Sequence, residues 1–511
     1  MDAMLSGIGT GLSTVAQPIN LLMVMVGCFA GTFIGMLPGL GPISAIALMI
    51  PITYGFDPAS GMILMAGVYY GAIFGGSTSS ILINAPGVAG TVATSFDGYP
   101  LARQGHAGKA LAIAAYASFS GGTIAAIFLL LAAPALASVA LSFQSADYFA
   151  LMVLGLTAVS AFAGRGNFLK AMMMTVLGLM LSTIGSDPAD GMPRFTFGRI
   201  DLLDGISFLL LAMATFALSE AIMTVLKREK IADSAKAAAK GHIGSLALNR
   251  DEVKEIAPVV GRSSILGFFI GVLPGAGATI ASFLAYGMER NVAQGAKKRL
   301  FGQGSIRGLA APETANNAAA SGSFVPLLTL GIPGSGTTAV MLGALISYGV
   351  NPGPQLFVDR PEVFWSVIIS MYIGNIVLLV LNLPLIPYIA RLLTIPSHVL
   401  VPLVLFFSLI GVYLVSFNTF DLYMMVAVAG LAVILRLFDY PMAPMILGFI
   451  LGDMMETNLR RALQINDGSL SFLWERPITL AIMIVTVVIV VLPLVGYFRE
   501  RRALARSGEG G

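Results

Sequence analysis

The chain alternates long apolar stretches with short polar connections. Stretches such as Ala110–Ala137, Phe364–Ala390 and Ile478–Phe498 contain no charged residue and reach the roughly 20 residues that cross a bilayer as a helix. They lack the alternating pattern of a membrane barrel strand. Because a helix satisfies its own backbone hydrogen bonds in lipid, the pattern predicts an all-α polytopic membrane protein.

Two of the apolar segments are interrupted in the same way. The stretch "GTFIGMLPGLGP" begins at Gly31, and "GFFIGVLPGAGA" begins at Gly267. Farther along each half, "GGSTSSILINAPG" (75–87) aligns without gaps to "GSFVPLLTLGIPG" (322–334). Each half therefore holds an LPG break, which predicts a re-entrant hairpin, and then a helix broken at Pro-Gly. Each hairpin arm would have about 11 residues, or roughly 16 Å.

The composition also favours a membrane protein. The chain is 57% hydrophobic and only 11% charged, with a mean hydropathy of +0.87, whereas a soluble domain carries about a quarter charged residues.

The distribution of charge favours a hairpin over a simple span for the second LPG segment. Basic residues flank the second LPG segment on both sides, in 227–262 and 290–307. The positive-inside rule places both flanks in the cytoplasm, so the segment must return to the side it came from.

These observations predict two repeats of inverted topology. We expect a first inverted repeat at 1–226, a cytoplasmic linker at 227–262 and a second inverted repeat at 263–476. A final transmembrane helix with a basic cytoplasmic tail would occupy 477–511. In each repeat, one broken segment and four spans follow the hairpin.

The breaks are the candidate binding site. A helix that stops inside the membrane leaves up to four free N–H groups and the positive end of its dipole, which can hold a carboxylate without a lysine or arginine. The broken segments contain neither of these basic residues. The candidate substrate-binding residues are Pro38, Gly39, Gly41, Ser77, Thr78, Asn84, Pro86, Gly87, Pro274, Gly275, Gly277, Asn316, Asn317, Pro333, Gly334, Ser335 and Thr337. Carbonyls freed at the same breaks are candidate sodium ligands, although no firm metal site is predicted.

Two acids in apolar surroundings are candidates for coupling or gating. Glu313 lies in "APETANNAAA", and Asp453 lies in "GDMMETNLRRAL". Ionisable residues at membrane depth are functional candidates by default. If these acids act in coupling, we expect the coupling cation to be a sodium ion or a proton. No other cofactor is expected. A structural role is the alternative for both. For Asp453, the nearby Arg460 and Arg461 indicate the interfacial end of a helix.

Other functional classes fit the residues less well. A membrane-embedded enzyme would need paired acids, a Ser/His or Cys/His pair or a metal-binding motif at membrane depth, and none is visible. The only cysteine is Cys28, and the three histidines are scattered. A passive anion channel is the other alternative, although the sequence shows no rings of charge. The net charge of +3 is small and gives no reason to expect a nucleic-acid partner.

The quoted motifs, together with "YYGAIFGGSTSSILINAPG", "FDGYPLARQGHAGKAL", "GLAAPETANNAAASGSFVPLLTLGIPGS" and "PMAPMILGFILG", resemble the large membrane subunit of the tripartite tricarboxylate transporters, the TctA family. The resemblance covers essentially the whole chain. It implies a symporter of the bacterial inner membrane that takes up citrate or related carboxylates with a cation gradient. It also implies two partners, a small membrane subunit and a periplasmic solute-binding protein.

Overall fold

We describe the fold from a computed structural model, which defines residues 2–37, 40–161, 168–187, 190–227, 244–275, 277–389 and 397–491. Seven helical stretches in these ranges are long and apolar enough to cross a membrane. The prediction of an all-α polytopic membrane protein is therefore confirmed.

The first half contains ten α-helices and one short hairpin among its described residues. Two π-helical turns, Ala102–His106 and Met213–Leu218, join neighbouring helices, and the 3-10 turn Ala89–Thr91 precedes the fifth helix. The elements are α1 (Asp2–Val15), α2 (Pro18–Met36), α3 (Gly41–Thr53), α4 (Pro58–Ile83), α5 (Val92–Leu101), α6 (Ala107–Ala140), α7 (Ser145–Ala161), α8 (Phe168–Ser182), β1 (Gly185–Ser186), β2 (Pro193–Arg194), α9 (Phe208–Ala212) and α10 (Ser219–Lys227).

The described part of the second half contains helices and no β-strand. Its elements are α11 (Arg250–Val272), α12 (Gly277–Val292), α13 (Gly295–Arg299), α14 (Ile306–Gly322), α15 (Phe324–Leu330), α16 (Gly336–Ser347), α17 (Pro354–Asp359), α18 (Pro361–Asn382), α19 (Ile386–Ile389), α20 (Ser397–Ser416), α21 (Thr419–Leu437), α22 (Met442–Ile465), α23 (Phe472–Glu475) and α24 (Pro477–Val491).

The chain divides into two compact units, and both LPG segments belong to the first. This first unit comprises 1–138 and 209–433, and the second comprises 139–208 and 434–511. At the centre of the first unit, α4 and α14 are buried along almost their whole length. Each is flanked by the two helices of its own LPG segment, α2 and α3 in one half and α11 and α12 in the other.

Glycines let the first arm of each LPG segment touch the backbone of its broken helix. A Cβ placed on Gly31 of α2 would overlap the carbonyl oxygen of Val68, and one on Gly267 of α11 would overlap that of Ala315. The same relation recurs one turn farther on, in the pairs Gly35–Ala72 and Gly271–Ala319. All four pairs match in the alignment of the two halves. Glycines four residues apart, a spacing typical of closely packed membrane helices, thus let the backbones touch in both halves.

The helices of the second LPG segment are longer than the predicted arms. Helix α11 has 23 residues, about 35 Å, and α12 has 16. Helix α11 begins inside the predicted linker because Asn249 and Glu252 form a capping box at its start, which satisfies two backbone N–H groups. The extra residues of α11 lie in the charged linker before 263, so the predicted arm length of about 11 residues, the re-entrance and the inverted topology all stay predictions.

The second unit uses the same kind of close crossing. A Cβ on Gly178 of α8 would overlap the carbonyl oxygen of Met445 on α22, and one on Gly448 would overlap that of Thr175. At the start of α7, the buried Asp147 accepts hydrogen bonds from Arg476 and Thr479 next to and within α24. Helices α7, α8, α22 and α24 are thereby tied into one bundle.

Candidate functional site

The LPG tips contain glycines with left-handed backbone. Gly41 has a φ of +60°, Gly275 of +80° and Gly277 of +59°. Residues with a side chain are strained by about 1–2 kcal/mol in this region, so the tips require glycine for their shape. Pro274 precedes the second tip. Pro38 and Gly39, the matching residues of the first tip, lie outside the described residues.

Both broken helices end in the same conformation. Helix α4 ends at Asn84 with a φ of 52°, and α15 ends at the equivalent Gly331 with a φ of 69°. These left-handed residues stop the helix before the Pro86-Gly87 and Pro333-Gly334 turns. The repeated Pro-Gly motif therefore produces the same helix end twice, as the alignment predicts.

Each break is held against its own LPG tip. The Gly275 N–H donates to the carbonyl oxygen of Gly334 at 3.1 Å. In the first half, a Cβ on Gly87 would overlap the carbonyl oxygen of Gly35, which leaves no room for a side chain there. The Gly87 N–H donates to the Ser79 hydroxyl at 3.1 Å. Tip and break thus form one backbone assembly in each half.

A new helix starts directly after each break. In the first half it is the 3-10 turn that leads into α5, and in the second half it is α16. At α16, Ser335 and Thr338 form a capping box, with the Ser335 N–H donating to Thr338 Oγ1 at 2.9 Å. The N–H groups of Gly336 and Thr337 have no partner within the helix, because they belong to its first turn. These N–H groups therefore need an acceptor outside the helix.

The tips and breaks of the two halves meet within the first unit. A Cβ on Gly90, in the first new helix, would lie 3.3 Å from the Cβ of Ala278, just after the second tip. The Asn316 amide donates to the Gly90 carbonyl at 3.3 Å. The Ser335 hydroxyl lies 3.4 Å from the hydroxyl of Tyr69 on α4. The candidate residues of both halves therefore surround one region.

Glu313 is completely buried and accepts hydrogen bonds from three hydroxyl groups. Ser77 donates to Oε2 at 2.6 Å, Ser118 donates to the same oxygen at 2.8 Å, and Thr94 donates to Oε1. Asn317 donates to the Glu313 backbone carbonyl at 3.1 Å. No lysine, arginine or histidine forms an ion pair with Glu313 among the described residues. The acid is thus held by neutral donors, most of them from the other half.

Asp453 has a different environment. It lies on α22 in the second unit and is exposed. One turn farther along, Glu456 pairs with Arg194 at 3.1 Å and with Arg460 at 2.7 Å, and Arg460 also reaches Asp187 at 2.9 Å. This partly buried charge network favours the interfacial helix end that was the alternative for Asp453.

Sequence reasoning missed Thr94 and Ser118 as partners of Glu313, and it also missed Asp97. The buried Asp97 accepts from the N–H groups of Gly302, Gly304 and Ser305 at 2.8–2.9 Å, at the start of α14. Its position in the motif "FDGYPLARQGHAGKAL" was the available clue. Asp97 therefore joins α5 of the first half to the helix that carries Glu313.

The described residues contain no group of three or more histidine, cysteine or acidic side chains that could hold a metal ion. A cation held by these described residues would therefore be bound by hydroxyl, amide or carbonyl oxygens with at most two acids. Such neutral oxygen ligands suit alkali and alkaline-earth ions better than transition metals.

Comparison with known proteins gives one family and two relatives from Agrobacterium vitis. The family model described as "Tripartite tricarboxylate transporter TctA family" matches residues 21–447. An uncharacterized 52.8 kDa protein in the TAR-I ttuC' 3' region is 42% identical over 502 residues, which cover 98% of each chain. An uncharacterized protein in the TAR-II ttuC' 3' region is 42% identical over 236 residues, 46% of this chain and 97% of its own. No solved structure matches the chain significantly.

Proposed function

The chain belongs to the tripartite tricarboxylate transporter TctA family, and on that premise we propose that it is the large transmembrane subunit of a binding-protein-dependent, cation-coupled importer. Its substrates would be tricarboxylates or related organic carboxylates. The family and the seven apolar helices make it a multi-pass membrane component of a transporter. The bacterial inner membrane is the proposed location.

Two helix starts at the paired breaks, both packed against α4, carry the proposal. The first turn of α16 offers the N–H groups of Gly336 and Thr337, and the 3-10 turn at Ala89 occupies the equivalent position in the first half. Two positive helix ends can hold an anion with more than one carboxylate and do not require a basic side chain in the membrane. Neither broken segment contains a lysine or arginine.

Glu313 supplies a reason for cation coupling. Burying a carboxylate without a basic partner is costly, and the cost falls when a cation or proton accompanies it. The three hydroxyl donors of Glu313 come from α4, α5 and α6 of the first half. A cation bound near Glu313 would therefore stabilise one arrangement of the two halves, which is how binding of the ion would favour binding of the substrate.

Two partners follow from the family name, which describes a tripartite system. A periplasmic solute-binding protein would deliver the carboxylate, and a small membrane subunit would complete the membrane part. Direct delivery explains why the transport site can rely on backbone donors of moderate strength, since the binding protein would make the first selection of the ligand.

Uptake into proteoliposomes tests the proposal. The chain is reconstituted with its small subunit, and the cognate binding protein is added outside with a panel of labelled di- and tricarboxylates. We expect accumulation above the external concentration only with the binding protein and an inward sodium or proton gradient. Equilibration without accumulation, unaffected by either, would instead identify a passive anion channel.

A further inference from the structure

We propose that a dehydrated sodium ion binds in a small cavity beside Glu313, between α4, α6 and the end of α18. The cavity has a volume of about 10 Å³, which is enough for one water-sized occupant. Its polar lining consists of Ser77, Thr78, Ser118 and Asn382, and the remaining walls are apolar. The inference rests on the cation coupling proposed above and names the ion and its ligands.

The carboxylate of Glu313 is one hydroxyl group away from this cavity. Ser77 and Ser118 both line the cavity, and both donate their hydrogen to Glu313 Oε2. A hydroxyl that gives its hydrogen to a carboxylate keeps its lone pairs for a second partner. The two serines can therefore transmit the negative charge of Glu313 to a cation without direct contact.

Asn382 provides an independent observation. It is only 4% exposed, and its Oδ1 has no hydrogen-bond partner in the described structure. Its amide nitrogen donates to the backbone carbonyl of Leu378 at 2.9 Å. A buried carbonyl oxygen without a partner loses its full hydration energy, so a ligand at this point would remove a real cost.

The lining is rich in acceptors and poor in donors, which favours a cation over water. The hydroxyls of Ser77 and Ser118 already donate to Glu313, the Thr78 hydroxyl donates to the Phe74 carbonyl at 3.5 Å, and the Asn382 amide nitrogen donates to Leu378. A water molecule has two hydrogens to offer four oxygens, and its own lone pairs would find few donors. A monatomic cation can be coordinated by lone pairs of all four oxygens at once.

The test measures sodium binding by the purified full-length chain, with radioactive sodium and with sodium-dependent thermal stabilisation against choline chloride. Asn382→Leu removes the free oxygen at nearly constant volume and leaves Glu313 untouched. We expect its half-saturating sodium concentration to rise by at least about tenfold, since even changes outside the ligand shell move metal affinity by about 10–100-fold. Potassium should compete poorly because the cavity is small.

The same helix provides a matched control. Asn375 is also on α18, also buried at 2% exposure, and also has an Oδ1 without a partner, but it does not line this cavity. Asn375→Leu should therefore keep the wild-type sodium affinity. Asn382→Asp should retain sodium binding, because a carboxylate oxygen replaces the amide oxygen. If Asn382→Leu does not fold, Ser118→Ala gives the same measurement and the same expected loss.

An unchanged sodium affinity in both Asn382→Leu and Ser118→Ala would overturn the assignment of the site. Wild-type protein that does not respond to sodium would also overturn it, and accumulation driven by protons would then leave the proposed importer intact. The opposite result is equally distinct: sodium binding that depends on Asn382, in a complete system that never accumulates a carboxylate, would support the site and refute the importer.

Discussion

The two broken segments share the backbone geometry of their glycine crossings and helix ends but differ in side-chain chemistry. In both, a long buried helix crosses its LPG arm through glycines. The last helix before the break ends in a left-handed residue, which is Asn84 after α4 and Gly331 after the short α15 that follows α14. The side chains then diverge. Glu313 lies in the second copy, where the equivalent residue of the first copy is Ala66.

The first copy contributes hydroxyls where the second contributes an acid. Ser77 and Thr94 come from the first broken segment and bind Glu313 in the second. The new helix in the second copy has the Ser335 capping box, whereas Val88 precedes the first new helix without a side-chain cap. The comparison teaches that repeated backbone geometry sets the positions, while the chemistry of the site is divided between the copies.

The largest effect should come from the glycine crossings, where the copies are most alike. Gly35→Ala and Gly271→Ala should each destabilise the protein by about 3 kcal/mol, the upper end of overpacking costs, because a backbone carbonyl cannot change rotamer to make room. Thermal unfolding in detergent and the amount of protein in the membrane measure this effect. Gly261→Ala, on the same helix as Gly271 but with open space around it, is the control and should stabilise the protein slightly, because alanine favours the helix over glycine by about 0.5–1 kcal/mol. Unequal losses of stability in Gly35→Ala and Gly271→Ala would show that the two glycine crossings are not structurally equivalent.

The next effect concerns the residue in which the copies differ most. Glu313→Gln keeps the size and removes the charge, so cation-driven uptake should fall by roughly tenfold to a hundredfold, since a hydrogen bond to a charged group is worth about 1.5–3 kcal/mol. The measurement is initial uptake at several cation concentrations, normalised to protein in the membrane.

Glu289→Gln is the control for the loss of a buried acid. Glu289 is also completely buried, but Arg262 and Arg307 neutralise it, with Arg307 at 2.8 Å. Its substitution should lower thermal stability and leave the cation dependence of uptake unchanged. The same loss of cation dependence in both variants would assign Glu313 to structure.

A smaller effect should follow from adding a side chain at a tip. Gly277→Ala introduces about 1–2 kcal/mol of left-handed strain, and its methyl group lies beside Ser335 in the region where the two halves meet. Gly295 starts the next helix with nearly the same φ, +57°, and has open space around it. Both alanine variants should lose similar stability, but only Gly277→Ala should raise the KM for the carboxylate. Equal KM values in the two variants would show that the tip is not part of the binding site.

The smallest effect should come from the cap that only the second copy has. Ser335→Ala should cost about 1 kcal/mol of stability and reduce substrate affinity a fewfold, because the first turn of α16 loses its fixed orientation. Asn249→Ala removes the capping box at the exposed start of α11 and should cost similar stability without changing uptake. A Ser335→Ala variant with normal affinity would show that the cap serves folding alone.

The sequence predicted the parts of the fold that depend on local pattern. The span Ala110–Ala137, for example, appears as α6 with its ends shifted by only a few residues. The repeated LPG and Pro-Gly motifs predicted matching helix ends, because glycine and proline act on their own backbone. The extra length of α11 was missed because a polar capping box, and not hydrophobicity, sets its start.

The partners of Glu313 could not be predicted in the same way. Ser118 and Thr94 lie about 200 residues away in the chain and look like ordinary hydroxyls in apolar helices, which commonly bond their own backbone. Their role depends on how α4, α5 and α14 pack, and this is tertiary information. For Asp453 the sequence contained the relevant clue, because arginines lie nearby. In the structure, one of them, Arg460, forms ion pairs with Glu456 and Asp187.

The glycine crossings also have a mechanical consequence. Gly75 of α4 lies against the carbonyl oxygen of Thr32 on α2, and Gly322 lies against that of Phe268 on α11. At these crossings backbone therefore faces backbone at successive turns, without a flexible side chain at the contact point to absorb a displacement. A force on an LPG tip would not be lost as local deformation. It would move the arm and its broken helix together as one rigid body, and the break would move with them.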